Sequence, residues 1–329
     1  MKIINNIQIL RGIAAINVVF FHLIGYTFKN IQYKGVFFNF FYTWGQNGVD
    51  LFFVISGFIM IYVQDHKNRN FSSFILDRIV RIVPSYWLLT IFISLLSFIL
   101  PSYFNTIVFD PKHIMVSLVF LSQAIAHQLP MLMVGWTLEF EMLFYLIFAC
   151  SILIVNKGKS LFFNIVLVLV FVLLFNLPIM LEFLYGIAIG VIQRKARVQK
   201  YGTLFFSVGL SLFLLSIPLT EEVTIRYRYI IWGIPSALMV LGAIRSKQIN
   251  SRFLTTLGNI SYSLYLLHYL LIPLCYKLFG YFNLVIILKS NDLIVVAVMM
   301  IILFGSFSYF KIVENPLTNF LKRGMNNGK

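Results

Sequence analysis

The chain has 329 residues, of which 60% are hydrophobic, 17% aromatic and only 11% charged, with a net charge of +15 and a mean hydropathy of +0.89. Soluble domains carry about 25% charged residues, so this composition excludes a water-soluble enzyme, a nucleic-acid-binding domain and a disordered linker protein. The excess of 26 basic over 11 acidic residues then reads as the mark of cytoplasmic loops, because Lys and Arg resist translocation across a membrane.

A helix crossing the roughly 30 Å hydrocarbon layer uses about 20 apolar residues, and short loops raise this to roughly 30 residues per crossing, or about ten crossings here. Apolar runs bounded by polar, Pro or Gly breaks place spans near 8–28, 47–64, 82–100, 136–155, 161–177, 179–193, 203–219, 230–244, 257–280 and 284–310. None alternates apolar with polar residues as barrel strands do, so the predicted fold class is all-α: a polytopic membrane protein with one transmembrane domain over 1–329. The first run lacks a small-x-small cleavage site and carries Arg11 and His22, so it reads as a permanent helix rather than a signal peptide. Segment 112–134 is interrupted by Lys112, His113, Gln123, His127, Gln128 and Pro130. Taking it as non-crossing or re-entrant leaves the termini, loop 65–81, Lys157, Lys159, run 194–202, segment 245–252 and tail 321–329 cytoplasmic, with 29–46 and 220–229 outside. Every strongly basic segment then obeys the positive-inside rule. Counting 112–134 as a span would instead fuse 161–193 into a helix about 50 Å long, with Asn176-Leu177-Pro178 breaking it. Cys150 and Cys275 lie in apolar stretches and fit neither a disulfide framework nor a metal cluster, and no histidine spacing resembles a zinc site.

Ionisable residues inside a membrane bundle cost roughly 2.5–3.5 kcal/mol or more unless they face a partner or a wet cavity, which makes each a functional candidate. Arg11 and His22 are eleven residues apart, so they share one helix face about 16 Å apart along the axis. Ala14, Ala15 and Val18 lie between them and are expected to leave space for a groove. Headgroup snorkelling by Arg11 and simple packing by His22 are the competing readings. Asp50 opens the next span, with Ser56-Gly57 in its interior, where Gly57 permits close helix contact; a helix cap by Asp50 is the alternative. Arg78 and Arg81, at i and i+3, present two planar forks suited to phosphate or to cytoplasmic anchoring. Glu141 is expected one to two turns below the outer surface at a depth comparable to His22, where a His–carboxylate pair would serve general-base catalysis. Glu139 reads as a surface-exposed first-turn acid. Glu182 is a further intramembrane acid, and Glu314 lies at the cytoplasmic rim. His268 stands near mid-membrane, where helix–helix hydrogen bonding accounts for it.

In this order the motifs are Arg11-x10-His22, Gly48-Val-Asp-Leu-Phe-Phe-Val-Ile-Ser-Gly-Phe58, Arg78-x-x-Arg81 with Pro84 and Tyr86-Trp87, Trp136-Thr-Leu-x-x-Glu141-x-x-Phe144-Tyr145, Ser261-Tyr-Ser-x-Tyr265-Leu-x-His268, and Glu314-Asn-Pro316. The set resembles the acyltransferase-3 family of integral-membrane acyltransferases, many of which O-acetylate bacterial surface polysaccharides. The resemblance covers about residues 5 to 320, in the short form without a fused esterase-like domain. It implies that His22 is catalytic, that Arg11, Arg78 and Arg81 serve activity, and that the donor is cytoplasmic acetyl-CoA. Thr137 stands where serine is common, and Met142 where an acidic residue often follows the glutamate.

The resemblance and the residues together predict a protein of the bacterial inner membrane that moves an acetyl group from acetyl-CoA to a hydroxyl of a cell-surface polysaccharide or its lipid-linked precursor. Arg78, Arg81 and Arg11 would hold the donor's phosphates, and His22, oriented by Glu141, would act as base or carry the acyl group. Asp50, Ser56 and His268 are further candidate site residues. The expected partners are acetyl-CoA, a glycan or lipid-linked glycan and membrane lipids, with no metal and no nucleic acid. A transporter or flippase of a glycan precursor is the competing class, but no pair of related halves is visible.

Overall fold

The computed structural model describes residues 4–32, 35–67, 69–100, 109–154, 157–195, 201–282 and 291–327. Among them there is no strand; the long helices are α1 (Asn5–Ile31), α2 (Gly48–Lys67), α3 (Phe71–Ile99), α4 (Pro111–Leu118), α5 (Trp136–Ile152), α6 (Lys157–Phe175), α7 (Leu181–Lys195), α8 (Gly202–Leu215), α9 (Gly233–Arg245), α10 (Arg252–Asn259), α11 (Ser261–Tyr281), α12 (Asn291–Tyr309) and α13 (Asn315–Asn327). Seven helical stretches among the described residues are long and apolar enough to cross a membrane. The chain is an all-α polytopic membrane protein. The other three expected spans fall on α7, α8 and α9, of 15, 14 and 13 residues, each about 20 Å long. Residues 196–200 of the basic run and the opening residues of the expected span 284–310 lie outside the described residues.

Contacts divide the chain into two compact units, residues 1–71 with 146–261 and residues 72–145 with 262–329. In the first unit, α1 ends where Gln32 turns left-handed and donates its N–H to Phe28 O at 2.9 Å. The aromatic turn that follows returns along the helix, with Phe41 stacked on Phe20 at 4.6 Å. The core gathers Leu10, Ala14, Trp44, Leu51, Phe58 and Trp232 with residues of α7, α8 and α9. Both indoles have their N–H satisfied, Trp44 by Phe213 O and Ser216 Oγ at 2.9 Å, and Trp232 by Ser216 Oγ at 3.0 Å.

Helices α2 and α7 touch backbone to backbone. A Cβ on Gly57 would lie 2.1 Å from Phe183 O, and one on Gly186 would lie 2.1 Å from Val54 O, so both positions require glycine. The expected span 257–280 is two helices. Residues 252–259 form the separate helix α10, strongly amphipathic and begun by a Ser251 cap on Leu254 N. Gly258 lies against α1, where a Cβ would be 2.1 Å from Gln8 O.

In the second unit α3 is the reference rod, 29 residues long with Pro84 near its middle. Segment 112–134 is not one helix: eight-residue α4 is followed by a wide π-type turn at Ser122–Ala126 and a short turn at Met133–Gly135. The chain runs antiparallel to α3, with the Phe109 and Phe98 rings 5.0 Å apart and Trp87 Nε1 donating to Leu118 O at 2.8 Å. Gly135 then packs on Tyr86, where a Cβ would meet the ring at 2.6 Å, and Tyr145 meets Phe74 edge-on at 6.5 Å. Helix α5 therefore opens at the level of the middle of α3, and Met133–Ile152, where the span 136–155 was expected, is long and apolar enough to cross a membrane.

Candidate active site

In the first unit, His22 is half-buried on α1 and its Nδ1 lies 3.0 Å from Val18 O. A carbonyl only accepts, so Nδ1 carries the proton in the neutral ring and Nε2 holds the lone pair. The backbone therefore orients His22 at Nδ1. Arg11 lies at the other end of the same face, its guanidinium donating to Gln8 Oε1 at 3.2 Å and Ser261 Oγ at 3.1 Å. The face between them is filled rather than open. Ala14, Ala15 and Val18 are all buried, and a Cβ on Gly48 would lie 2.2 Å from Ala14 O and 2.9 Å from Val18 Cγ2. Small residues on α1 have drawn the start of α2 into contact, which overturns the expected groove there.

Asp50, in the first turn of α2, is not a helix cap. Arg228 donates Nε to Asp50 Oδ1 at 2.9 Å and Nη2 to Oδ2 at 2.7 Å, a bidentate pair. The Arg228 guanidinium also lies 5.4 Å from the Trp232 ring centre. Glu182 sits beside Asp50, and both carboxyl groups are 0% exposed. Ser56 is buried one residue before the Gly57 contact. Arg228 escaped sequence reasoning because it falls in the expected outer loop 220–229; in the structure it opens the short helical turn Arg228–Ile231. The available signal was charge complementarity, since Arg228 and Asp50 are expected at the same membrane face.

The second unit gathers Arg78, Arg81 and Glu141 around Tyr145. Arg78 is only 5% exposed, with its guanidinium carbon 5.4 Å from the Phe74 ring centre and 5.6 Å from that of Tyr145. An anchoring arginine would lie open to headgroups, whereas this cation is enclosed by aromatic faces. Arg81 is half-buried. The Tyr145 hydroxyl donates to Glu141 Oε1 and lies within electrostatic reach of Glu141, Arg78 and Arg81. Glu141 thus stands between the Tyr86 and Phe74 levels of α3, beside the Arg78 cluster. The i,i+4 spacing of Glu141 and Tyr145 could have pointed to the tyrosine.

Glu139 is buried, not a surface acid. Its carboxylate accepts from Ser122 N at 2.9 Å, Gln123 N at 3.1 Å and Gln123 Nε2 at 3.2 Å. The Thr137 hydroxyl lies 2.8 Å from that of Tyr265, which donates to Val134 O at 2.9 Å. His268 is fully buried with Nδ1 3.1 Å from Leu264 O on its own helix. Glu314 is carried into the interior by a π-type turn at Phe310–Glu314 and accepts from Ser263 Oγ.

Residues 4–311 match the family described as an acyltransferase domain. The chain is also 34% identical over 309 residues, 86% of this chain and 92% of the relative, to the exopolysaccharide production protein ExoZ of Rhizobium meliloti (strain 1021). No solved structure matches it. The family match covers almost the whole of an all-helical membrane chain, and the chain belongs to the acyltransferase-3 family of membrane acyltransferases.

Proposed function

We propose that this protein transfers an acetyl group from cytoplasmic acetyl-CoA to a hydroxyl of a cell-surface polysaccharide or its lipid-linked precursor, in the bacterial inner membrane. The observation that carries the reading is the fixed tautomer of His22 in a chain of an acyltransferase family. The Val18 carbonyl holds the proton on Nδ1 and leaves Nε2 basic. Nε2 takes the proton of the acceptor hydroxyl as its oxygen attacks the thioester carbonyl. The carbon–sulfur bond breaks, and the departing thiolate recovers the proton from the imidazolium, so one ester and one thiol are formed. Arg78 and Arg81 bind the donor's phosphates, with Arg11 as a further cation, and Glu141 fixes the Tyr145 hydroxyl beside them. The polysaccharide acceptor is carried over from the relative named for exopolysaccharide production.

The test is acyl transfer from labelled acetyl-CoA to an acceptor glycan in membranes containing the full chain. Arg78→Ala and Arg81→Ala are expected to lower apparent donor affinity by about ten- to a hundredfold, since a charge-assisted phosphate contact contributes roughly 1.5–3 kcal/mol. Lysine should rescue only partly, keeping the charge and losing the fork. Movement of a glycan precursor across the membrane without acyl transfer would replace this reading with that of a transporter.

A further inference from the structure

The levels at which the chain meets α3 describe a crossing made in two pieces. From Phe109 beside Phe98 to Leu118 beside Trp87 the chain descends eleven residues of α3, about 16 Å. From Gly135 beside Tyr86 to Tyr145 beside Phe74, α5 covers twelve more residues of α3, about 18 Å. Together they run about 34 Å along α3, against a hydrocarbon layer of roughly 30 Å, and α5 continues past Tyr145 to Ile152. Between the pieces lies irregular backbone, which hydrocarbon tolerates only where the polar groups are satisfied by the protein.

They are satisfied in this way at the turn. Val119 N and Leu121 N donate to Met115 O and Val116 O at 3.2 and 2.9 Å, while Ser122 N and Gln123 N donate to the Glu139 carboxylate. Ser117 Oγ accepts from Ser122 Oγ and Met131 N at 3.1 and 3.0 Å, and Ser117 O from the Tyr86 hydroxyl at 3.1 Å. A surface turn would take such bonds from water; here a buried carboxylate supplies them. Met115, 64% exposed, Val119, 53%, and Ile125, 59%, point outward, while Lys112 lies exposed before the turn and His127 and Gln128 after it. The exposed face of α3 is apolar too, formed by Leu88, Ile91, Phe92 and Leu95, the kind of face that a spanning helix presents to lipid.

We propose that residues 109–118 and α5 form one discontinuous membrane crossing, with Glu139 taking the place of water at the break and Met115, Val119 and Ile125 lying against lipid acyl chains. Glu139 is a positioning residue. Its carboxylate is occupied by the turn and takes no part in proton transfer.

The test uses the full chain in phospholipid vesicles, with Cys150 and Cys275 replaced by Ala and nitroxide labels placed in turn at Lys112, Val119 and Ile125. Labels at Val119 and Ile125 should collide readily with oxygen and poorly with a water-soluble nickel chelate, and the label at Lys112 should do the reverse. Ready collision with nickel at Val119 and Ile125 would make the segment a surface loop or the wall of a water-filled cavity, and poor collision with both probes would mean that protein covers it; either overturns the proposal. Adding Glu139→Ala to the Ile125-labelled chain should raise nickel access several-fold, and Glu139→Gln, which keeps one acceptor oxygen, should raise it less. Unchanged access in both variants would remove Glu139 from the role assigned to it.

Discussion

Replacing His22 by Gln is expected to abolish acyl transfer while the amount of protein in the membrane stays the same. Glutamine has nearly the size of histidine and keeps an amide donor for the Val18 carbonyl, so the helix loses little packing or hydrogen bonding. It has no nitrogen that takes up a proton near neutral pH. General-base catalysis contributes about 10²- to 10⁴-fold, and the loss in both His22→Gln and His22→Ala should reach at least that range, measured as turnover of purified protein with acetyl-CoA and an acceptor glycan. Because Nδ1 is engaged with the backbone, the loss should appear in the rate of transfer more than in donor affinity, the opposite of the pattern expected at Arg78 and Arg81. A His22→Gln variant that turns over normally would leave the histidine with packing alone and move attention to His268.

The second large effect concerns stability. Arg228→Leu should lower the melting temperature of the purified protein sharply and reduce the amount that reaches the membrane. Both Asp50 oxygens are bonded to Arg228, and Glu182 lies beside them with no exposure. Removing the guanidinium leaves two buried carboxyl groups around a lost cation, and breaking a buried pair by taking one partner costs about 3–5 kcal/mol. Arg228→Lys should fall between, because lysine keeps the charge without the fork that engages both oxygens. Glu182→Gln should leave the melting temperature unchanged or raise it, since one guanidinium then faces one carboxylate. Normal melting of Arg228→Leu would show that the ion pair is dispensable to the first unit.

The apolar runs and the absence of period-two alternation led directly to an all-helical membrane protein, because lipid solvent acts on composition over stretches of about 20 residues. The family was legible for a similar reason: it rests on short local motifs in a fixed order, and those survive in one dimension. Tyr145 and Glu141 are four residues apart and their pairing is a local property of the helix. What the periodicity of α1 described correctly was the shared face of Arg11 and His22. What it could not describe was what covers that face, because Ala14 and Val18 are as compatible with an open groove as with a helix in contact, and only the approach of Gly48 decides between them.

By itself, then, the sequence determined the solvent, the fold class, the family and the residue types from which a site can be built, all consequences of composition, local periodicity and spacing. Tertiary structure alone decided which groups meet. Asp50 is bonded to Arg228 across 178 residues, Arg78 is enclosed by Phe74 and Tyr145, and Glu139 turns inward to hold the amides of Ser122 and Gln123. The physical reason is that a charge or an amide taken out of water binds whichever complementary group packing brings within about 3 Å, and sequence separation carries no information about that distance.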